Sequence, residues 1–434
     1  MESLWKNKIK LPEFEPLGQD LKTDVLIIGG GLAGILCAWQ MESDRVNYAL
    51  IEADRVCSGV TGFTTAKITV QHGLIYDKLI RKFGGEKARM YLQANQAALR
   101  EYRGLCGKID CEFEEQDAYV YTTDKLTKLE DEIIALEELG VQTDYIQRPT
   151  LPFPTAGAVR LPNQAQFHPM KFAAGIVPRL KIYEQTKALG YEGRNTVLTN
   201  RGKITAEKII VATHFPFINK HGSYFLKLYQ HRSDVLALED ALKPDGMYIS
   251  DHQKGMSFRS SGDLLLLGGG SHRTGKPGGN WTELAAFAKQ HYPNAREKYR
   301  WATQDCMSLD GVPYIGQYSA STPGLYVATG FNKWGMTSAM AASMILRDLV
   351  QGRDNDWAPV FSPSRTVLRP QLLVNGFEAA VNLLTPAKPR CPHMGCALKW
   401  NEAEHTWDCS CHGSRFTQTG KLINNPAADD LKKE

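Results

Sequence analysis

From Asp24 the chain reads DVLIIGGGLAGILCAWQM, an apolar run of β-type residues that passes through glycines into helix formers. The run predicts a buried strand, a tight turn and a helix, which together make one βα unit. YALIEADRV follows as a second strand. Further on, ITAEKIIVATHFP (204–216) predicts a hairpin-like strand ending at Ala212-Thr213. DGVPYIG (310–316) and GLYVATGFNKWGMTSAMAASMILRDLVQG (324–352) predict a late strand, glycine turn and long helix. Of the intervening stretches, 81–149 is helical in character (KARMYLQANQAALREY, KLTKLEDEIIALEELG) and 217–299 is strand-rich (GMYISD, LLLLGGG). Beyond 352 the periodicity breaks into DNDWAPVFSPSRTVLRP, a proline-rich polar stretch that predicts a linker over 353–388, with one short amphipathic helix at NGFEAAVNLLT. No internal repeat or low-complexity tract interrupts the pattern.

Length and composition narrow the class. A chain of 434 residues exceeds what one core usually supports and predicts two or three domains. Its 43% hydrophobic and 23% charged residues are ordinary for a globular protein. A net charge of +4 is too balanced for the sustained basic surface that nucleic acid requires. No run approaches a membrane span and the N-terminus has no apolar signal region, so the expected location is cytoplasmic. Of nine cysteines, four crowd the last 44 residues, a metal-like distribution in a reducing compartment.

Gly29, Gly31 and Gly34 fit G-x-G-x-x-G, in which the first glycine permits the tight turn, the second admits a pyrophosphate and the third lets helix and strand approach. The motif alone is weak. A second strand ending in Glu52, where a carboxylate can bind ribose hydroxyls, makes a ligand-free glycine turn the poorer reading. The glycines do not separate NAD from FAD. The following SGVTGFTTAKITVQHG is small and hydroxyl-rich, suited to lie under a large cofactor and to donate from Thr61, Thr64 and Thr65.

With the returning strand at Ala212 and the late glycine turn, residues 24–352 resemble the glycine and D-amino-acid oxidase family of FAD-dependent oxidoreductases. That resemblance implies an α/β fold: a two-dinucleotide-fold, Rossmann-like FAD-binding domain from 24–80, 150–215 and 300–352, with a discontinuous α+β substrate domain from 81–149 and 217–299. It implies cofactor contacts from Gly29, Gly31, Gly34, Glu52, Thr61, Gly62, Thr64, Thr65, Ala212, Gly330, Gly335 and Thr337. A helix start after Gly330 would stabilise the anion formed when the flavin is reduced.

The stretch CPHMGCALKWNEAEHTWDCSCHGSRF (391–416) supplies Cys391-x-His393 and Cys409-x-x-His412, each pair in a glycine-containing loop. A Cys2His2 zinc site usually keeps cysteines in one pair and histidines in the other, whereas here each loop gives one of each. The loops resemble those of Rieske 2Fe-2S proteins, in which two thiolates hold one iron and two imidazoles the other. The resemblance also implies a disulfide between Cys396 and Cys411. Two departures stand out. Ser410 occupies a position usually held by proline, and the module, 389–434, is about half the usual length with no base sheet legible. A piece this small is expected to lean on the flavin domain or on another subunit.

Two such centres in one chain predict substrate oxidation at FAD, with electrons leaving singly through the cluster to a protein or quinone-type acceptor in place of oxygen. Alternatives are an electron-transfer or redox-sensing protein with no small substrate, and a flavin oxidase with a structural zinc tail. Amino-acid-oxidising relatives commonly carry Arg-Pro before Asp-Gly-x-Pro; here those positions fall on Asp305 and Cys306 in TQDCMSLDGVPYIG. A carboxylate there disfavours a substrate carboxylate and favours an ammonium, so the expected substrate is an amine or amino-acid-like molecule without that clamp. On the competing reading Asp305 is a hydrogen-bonded loop residue and Arg259 or Arg273 grips the substrate. Lys67, Asp305 and Lys333 are the candidate catalytic residues, with Trp334 shaping the pocket. His272 reads more readily as structural, and Cys306 more readily as a plain thiol than as a flavin tether. Cys37, Cys57, Cys106 and Cys111 read as small apolar or free thiols. A homo-oligomer is possible.

Overall fold

The computed structural model describes residues 3–432 except 8, 194, 253, 367 and 387. The predicted first strand, Leu21–Ile28, is the centre of an eight-stranded sheet. It pairs in parallel with Gly202–Val211 on one side and Tyr48–Ile51 on the other, and Gly202–Val211 pairs in parallel with Leu325–Thr329. The near-continuous apolar residues of Leu21–Ile28 reflect a strand covered on both faces. One covering layer is the helix Leu32–Ser43, packed against Gly335–Val350, whose Ala and Ser positions permit a close approach.

The second sheet has nine strands, running Arg296–Ser308, Leu228–Glu239, Leu264–Arg273, Ser257–Ser261, Met247–Ser250, Glu114–Thr122, Gly157–Gln166 and Lys67–Ile68, with Asp144–Ile146 off the path. Three of these, Lys67–Ile68, Gly157–Gln166 and most of Arg296–Ser308, fall in stretches expected within the flavin-binding part. They pair into the second sheet instead, because alternation marks a strand but does not name its partner. The helical stretch 81–149 holds Gly85–Cys106 and Thr127–Glu138.

The tail carries four antiparallel strands, Leu398–Asn401, Thr406–Cys409, Arg415–Thr417 and Leu422–Asn424. A small sheet is therefore present where none was legible; strands of three or four residues are too short for alternation to register. The linker also departs from expectation. Val360 and Phe361 are in the main core, and Arg365 pairs with Asp310 at 3.0 Å, so the connection is pinned to the body. Among the described residues no helix is long and apolar enough to cross a membrane.

Candidate functional site

Parallel pairing brings three chain ends to one edge of the first sheet: the glycine turn after Leu21–Ile28, the Ala212-Thr213 end of the returning strand, and the Gly330 turn after Leu325–Thr329. At Gly34 a Cβ would lie 1.8 Å from the Gly29 carbonyl oxygen, and Gly29 itself holds φ +109°. Only glycine fits either place. Gly31 caps the helix that starts at Leu32, and the second helix starts at Gly335, so both direct first-turn backbone N–H groups toward this edge. Glu52 accepts from the Gly30 N–H at 2.6 Å, and Thr61 Oγ1 accepts from the Leu32 N–H at 3.0 Å. Burial raises the Glu52 pKa, opposed by backbone N–H donors. Two helix starts, an acid at the end of the second strand and glycine-only backbone form a donor set that fits a dinucleotide.

The 61–65 loop is braced from an unexpected quarter. Ser3 Oγ donates to the Gly62 carbonyl, and Trp5, fully buried, donates to the Thr64 carbonyl at 2.5 Å. Thr64 Oγ1 accepts from the Ala66 N–H, and Thr65 Oγ1 accepts from Lys67 Nζ at 3.3 Å. The Thr337 hydroxyl lies between His72 Nε2 at 2.9 Å and the Thr69 carbonyl at 3.2 Å.

Above this edge the second sheet sets Asp305 directly across from His231 in the Arg296–Ser308 and Leu228–Glu239 register. Lys333 donates to Ser233 Oγ at 3.1 Å and Ser271 Oγ at 2.5 Å. Asn332 and Lys333 hold φ of +53° and +73°, two successive left-handed non-glycine residues, a strain of the kind that clusters at functional sites. The Asn332 side chain fixes the turn by accepting from the Ser308 N–H at 2.9 Å and donating to the Gly330 carbonyl at 2.6 Å. Burial pushes Asp305 up to about 6, opposed by the charges of Lys333 and Arg232. Burial, and then the cations Lys333 and Arg273, drive His231 down to about 3, so its ring is neutral. Lys67, beside Arg259, is lowered by burial to about 7.

Both arginines of the competing reading are engaged by backbone carbonyls. Arg259 donates from Nε to the Ser260 carbonyl and from Nη1 to those of Thr65, Ala66 and Phe167. Arg273 donates to the Ser410 and Cys411 carbonyls, each at 2.9 Å, and to Asn375 Oδ1 at 2.8 Å. It is a clamp on the tail. His272 Nδ1 lies 2.8 Å from the Gly270 carbonyl, a structural contact. The Cys306 thiol is buried 3.6 Å from Thr329 Oγ1 and pushed up to about 12, which suits an inert thiol better than a flavin tether.

In the tail, Cys396 and Cys411 are joined in a disulfide. The thiols of Cys391 and Cys409 share a hydrogen bond that lowers the first to about 7 and raises the second. The rings of His393 and His412 meet edge to face, 4.9 Å apart. Each Nε2 is held, His393 by Asn219 Oδ1 at 3.0 Å and His412 by the Phe225 carbonyl at 3.1 Å, while both Nδ1 atoms are buried without any partner. Two thiols and two orphaned imidazole nitrogens are the donor set a Rieske cluster takes, and burial keeps both rings neutral, the ligating form. The sulfurs of Cys396, Cys409 and Cys411 also approach within 4.8 Å, but two of them are spent in the disulfide, which disfavours a thiolate-held zinc.

The imidazole edge faces inward onto the flavin-binding part. Phe215, buried three residues beyond Ala212, places its ring 6.3 Å from that of His393 and 6.1 Å from that of His412. Asn425 donates to the Thr213 and Phe215 carbonyls at 2.5 and 2.8 Å; Gln230 donates to the His412 carbonyl at 2.7 Å and Gln304 to that of Gly413 at 2.8 Å. Arg232 pairs with Glu404. Sequence reasoning missed His231, Gln230, Gln304, Asn219 and Asn425, although Phe215 and Gln304 lay in stretches it had singled out; a polar residue on a strand or in a turn gives no local signal that a second module docks on it.

Residues 24–349 match the family model described as FAD dependent oxidoreductase (DAO), and residues 381–433 that of the Rieske [2Fe-2S] domain. A Bacillus subtilis protein described provisionally as a Rieske 2Fe-2S iron-sulfur protein, YhfW, is 35% identical over 100% of this chain and 97% of its own. Gamma-glutamylputrescine oxidoreductase of Escherichia coli is 21% identical over 79% of this chain and 87% of its own. Among solved structures, glycine oxidase from Geobacillus kaustophilus superposes with a TM-score of 0.65 at 20% identity, covering 80% of this chain and 99% of its own, a likeness of fold.

Proposed function

Since the chain belongs to the DAO family of FAD-dependent oxidoreductases and ends in a Rieske [2Fe-2S] domain, we propose that it oxidises a small amine and passes the electrons through its own cluster to an external one-electron acceptor. When bound, FAD supplies two-electron oxidation of a C–N centre and the cluster supplies one-electron transfer. The observation that carries the proposal is the inward docking of the cluster loops. Phe215 touches both ligand imidazoles and sits three residues from the strand end at the dinucleotide edge. Asn425, Gln230 and Gln304 hold that approach fixed through backbone carbonyls of both parts.

Gly29, Gly31, Gly34, Glu52, Thr61 and the two helix starts would hold the dinucleotide. Cys391, Cys409 and the Nδ1 atoms of His393 and His412 would hold the cluster. Asp305 supports the amine reading. With Arg259 and Arg273 bound to carbonyls, the group facing a substrate beside Lys333 is a carboxylate, which attracts an ammonium and repels an acid. Lys333, tethered to Ser233 and Ser271, would orient the substrate, and neutral His231 opposite Asp305 is placed to exchange a proton with it. The E. coli relative named for gamma-glutamylputrescine, an amine derivative, supports the same substrate class.

The test is anaerobic mixing of the holoprotein with panels of amines and amino acids, following the flavin band and the low-temperature paramagnetic resonance of the cluster. An amine is expected to bleach the flavin and develop the cluster signal together, with a dye acceptor supporting turnover and oxygen doing so poorly. A bleached flavin beside a silent cluster, or peroxide formed as fast as dye is reduced, rejects the relay.

A further inference from the structure

The helix Pro370–Leu384 is turned inside out. Its buried side chains are polar: Asn375 meets Arg273, and Asn382 accepts from Ser410 Oγ at 3.2 Å while its carbonyl accepts from the Ala397 N–H at 2.9 Å. Its outward face is apolar, with Leu373 78%, Phe377 69% and Leu384 83% exposed, beside Val374 and Val381. At 100° per residue these five positions form one stripe opposite the two asparagines. Leu368 before the helix and Met394 on the first cluster loop are exposed too.

Charge surrounds this stripe unevenly. Between residues 357 and 401 the chain has five bases against one acid, Glu378; Arg365 is buried in its pair with Asp310, which leaves Arg369, Lys388, Arg390 and Lys399 to flank the stripe. Glu378 is paired with Lys276 at 2.6 Å. Arg390 donates to the carbonyls of Leu383, Thr385 and Gly395, which holds its cation at the end of the helix and against the cluster loop.

We propose that this helix lies on an anionic lipid surface, with Leu373, Phe377 and Leu384 in the acyl boundary and the flanking bases at the head groups. A protein interface of this size would carry polar groups among its apolar ones, about one hydrogen bond per 100–200 Å². The stripe has none, and it is aliphatic apart from one Phe, as a membrane-facing side is. The placement also gives the cluster an exit. The imidazole edge is covered by Phe215, Asn219 and Phe225, whereas Asn382 touches the segments of both cluster loops, so a surface under the helix lies about 10 Å, one helix diameter, from them. An acceptor dissolved in lipid would approach from that side. The lipid contact stands whether or not the flavin feeds the cluster.

The test is co-sedimentation of the holoprotein with phosphatidylcholine vesicles, with and without phosphatidylglycerol. Binding is expected to the anionic vesicles only, weakening with salt, and falling about tenfold or more in Phe377→Glu and Leu373→Glu. These side chains are exposed, so the flavin and cluster absorption should be unchanged and serves as the check on folding. Absence of binding to anionic vesicles overturns the proposal. So does equal binding by the variants. A dimer, or a complex with an acidic electron carrier, that depends on Phe377 while vesicles stay unbound assigns the face to a protein and overturns it as well.

Discussion

At the residue scale the informative group is Asp305, whose burial lifts it to about 6 from an ordinary aspartate value. A folded-state pKa above the unfolded one means that stability is fully present below the unfolded value and is lost as pH rises through about 6. Asp305→Asn should therefore stabilise the substrate-free protein at pH 8 by up to about 2–3 kcal/mol and change little near pH 4, which thermal melts at the two pH values would check. Activity should move the opposite way. With an amine substrate, kcat/KM of the parent should fall as pH drops below about 6 and the carboxylate takes up a proton. The asparagine variant should lose at least about tenfold at pH 8 and show no such limb. A variant that keeps both its rate and the limb would return Asp305 to a structural role. The residue was legible because it stands where an arginine is expected. Its neighbour His231 was not, since only the register of two strands distant in sequence sets them face to face.

At the element scale the tail shows how a small module is made stable. Its core has only seven fully buried apolar residues, four of them cysteines, too few for independence. Three devices make up the difference: the cluster itself, the Cys396–Cys411 bond, and the clamp from Arg273, Gln230, Gln304 and Asn425. The disulfide closes a separation of 15 residues, for which loop entropy gives about 3 kcal/mol. Cys396→Ser with Cys411→Ser should then release iron on mild heating well before the flavin is lost, seen as bleaching of cluster absorption ahead of flavin fluorescence. Simultaneous loss would mean that the docking contacts dominate. Gln230→Ala with Asn425→Ala tests the clamp: flavin reduction by substrate should keep its rate, while cluster reduction slows at least about tenfold as the imidazole edge loses its fixed seat. The βα unit, the glycine turns and both ligand loops were readable, because each is a local pattern with strict backbone or donor requirements. The clamp was not, because glutamine on a strand interior looks the same whether it faces solvent or a docked carbonyl. Nor was the buried Ser3–Trp5 segment, whose polar setting masks the Trp5 contact with Thr64.

At the scale of the whole molecule, the buried Phe215 ring lies between the dinucleotide edge, where Thr329 precedes the Gly330 turn, and the imidazoles of His393 and His412, an arrangement that supports the proposed relay. Thr329, at the end of the strand before Gly330, donates to the His214 carbonyl and closes that line sideways. The arrangement fixes a count. FAD accepts two electrons and a Rieske cluster one, so anaerobic titration with dithionite should reach its end point at about three electrons per chain. Cys409→Ser removes a ligand from the cluster and should end at about two, with the flavin spectrum intact. An end point of about two in the parent protein, unchanged by Cys409→Ser, would mean a tail without redox iron, and the inward-facing histidines would then need a purely structural explanation. A count of about three in the parent has a further consequence for turnover. Each amine delivers electrons in pairs to a chain that holds an odd number, so one substrate cannot fill it and the second cannot be fully accepted. Where turnover runs through the cluster, it needs an acceptor that removes electrons singly, and the substrate-reduced protein should hold its cluster reduced until such an acceptor is added.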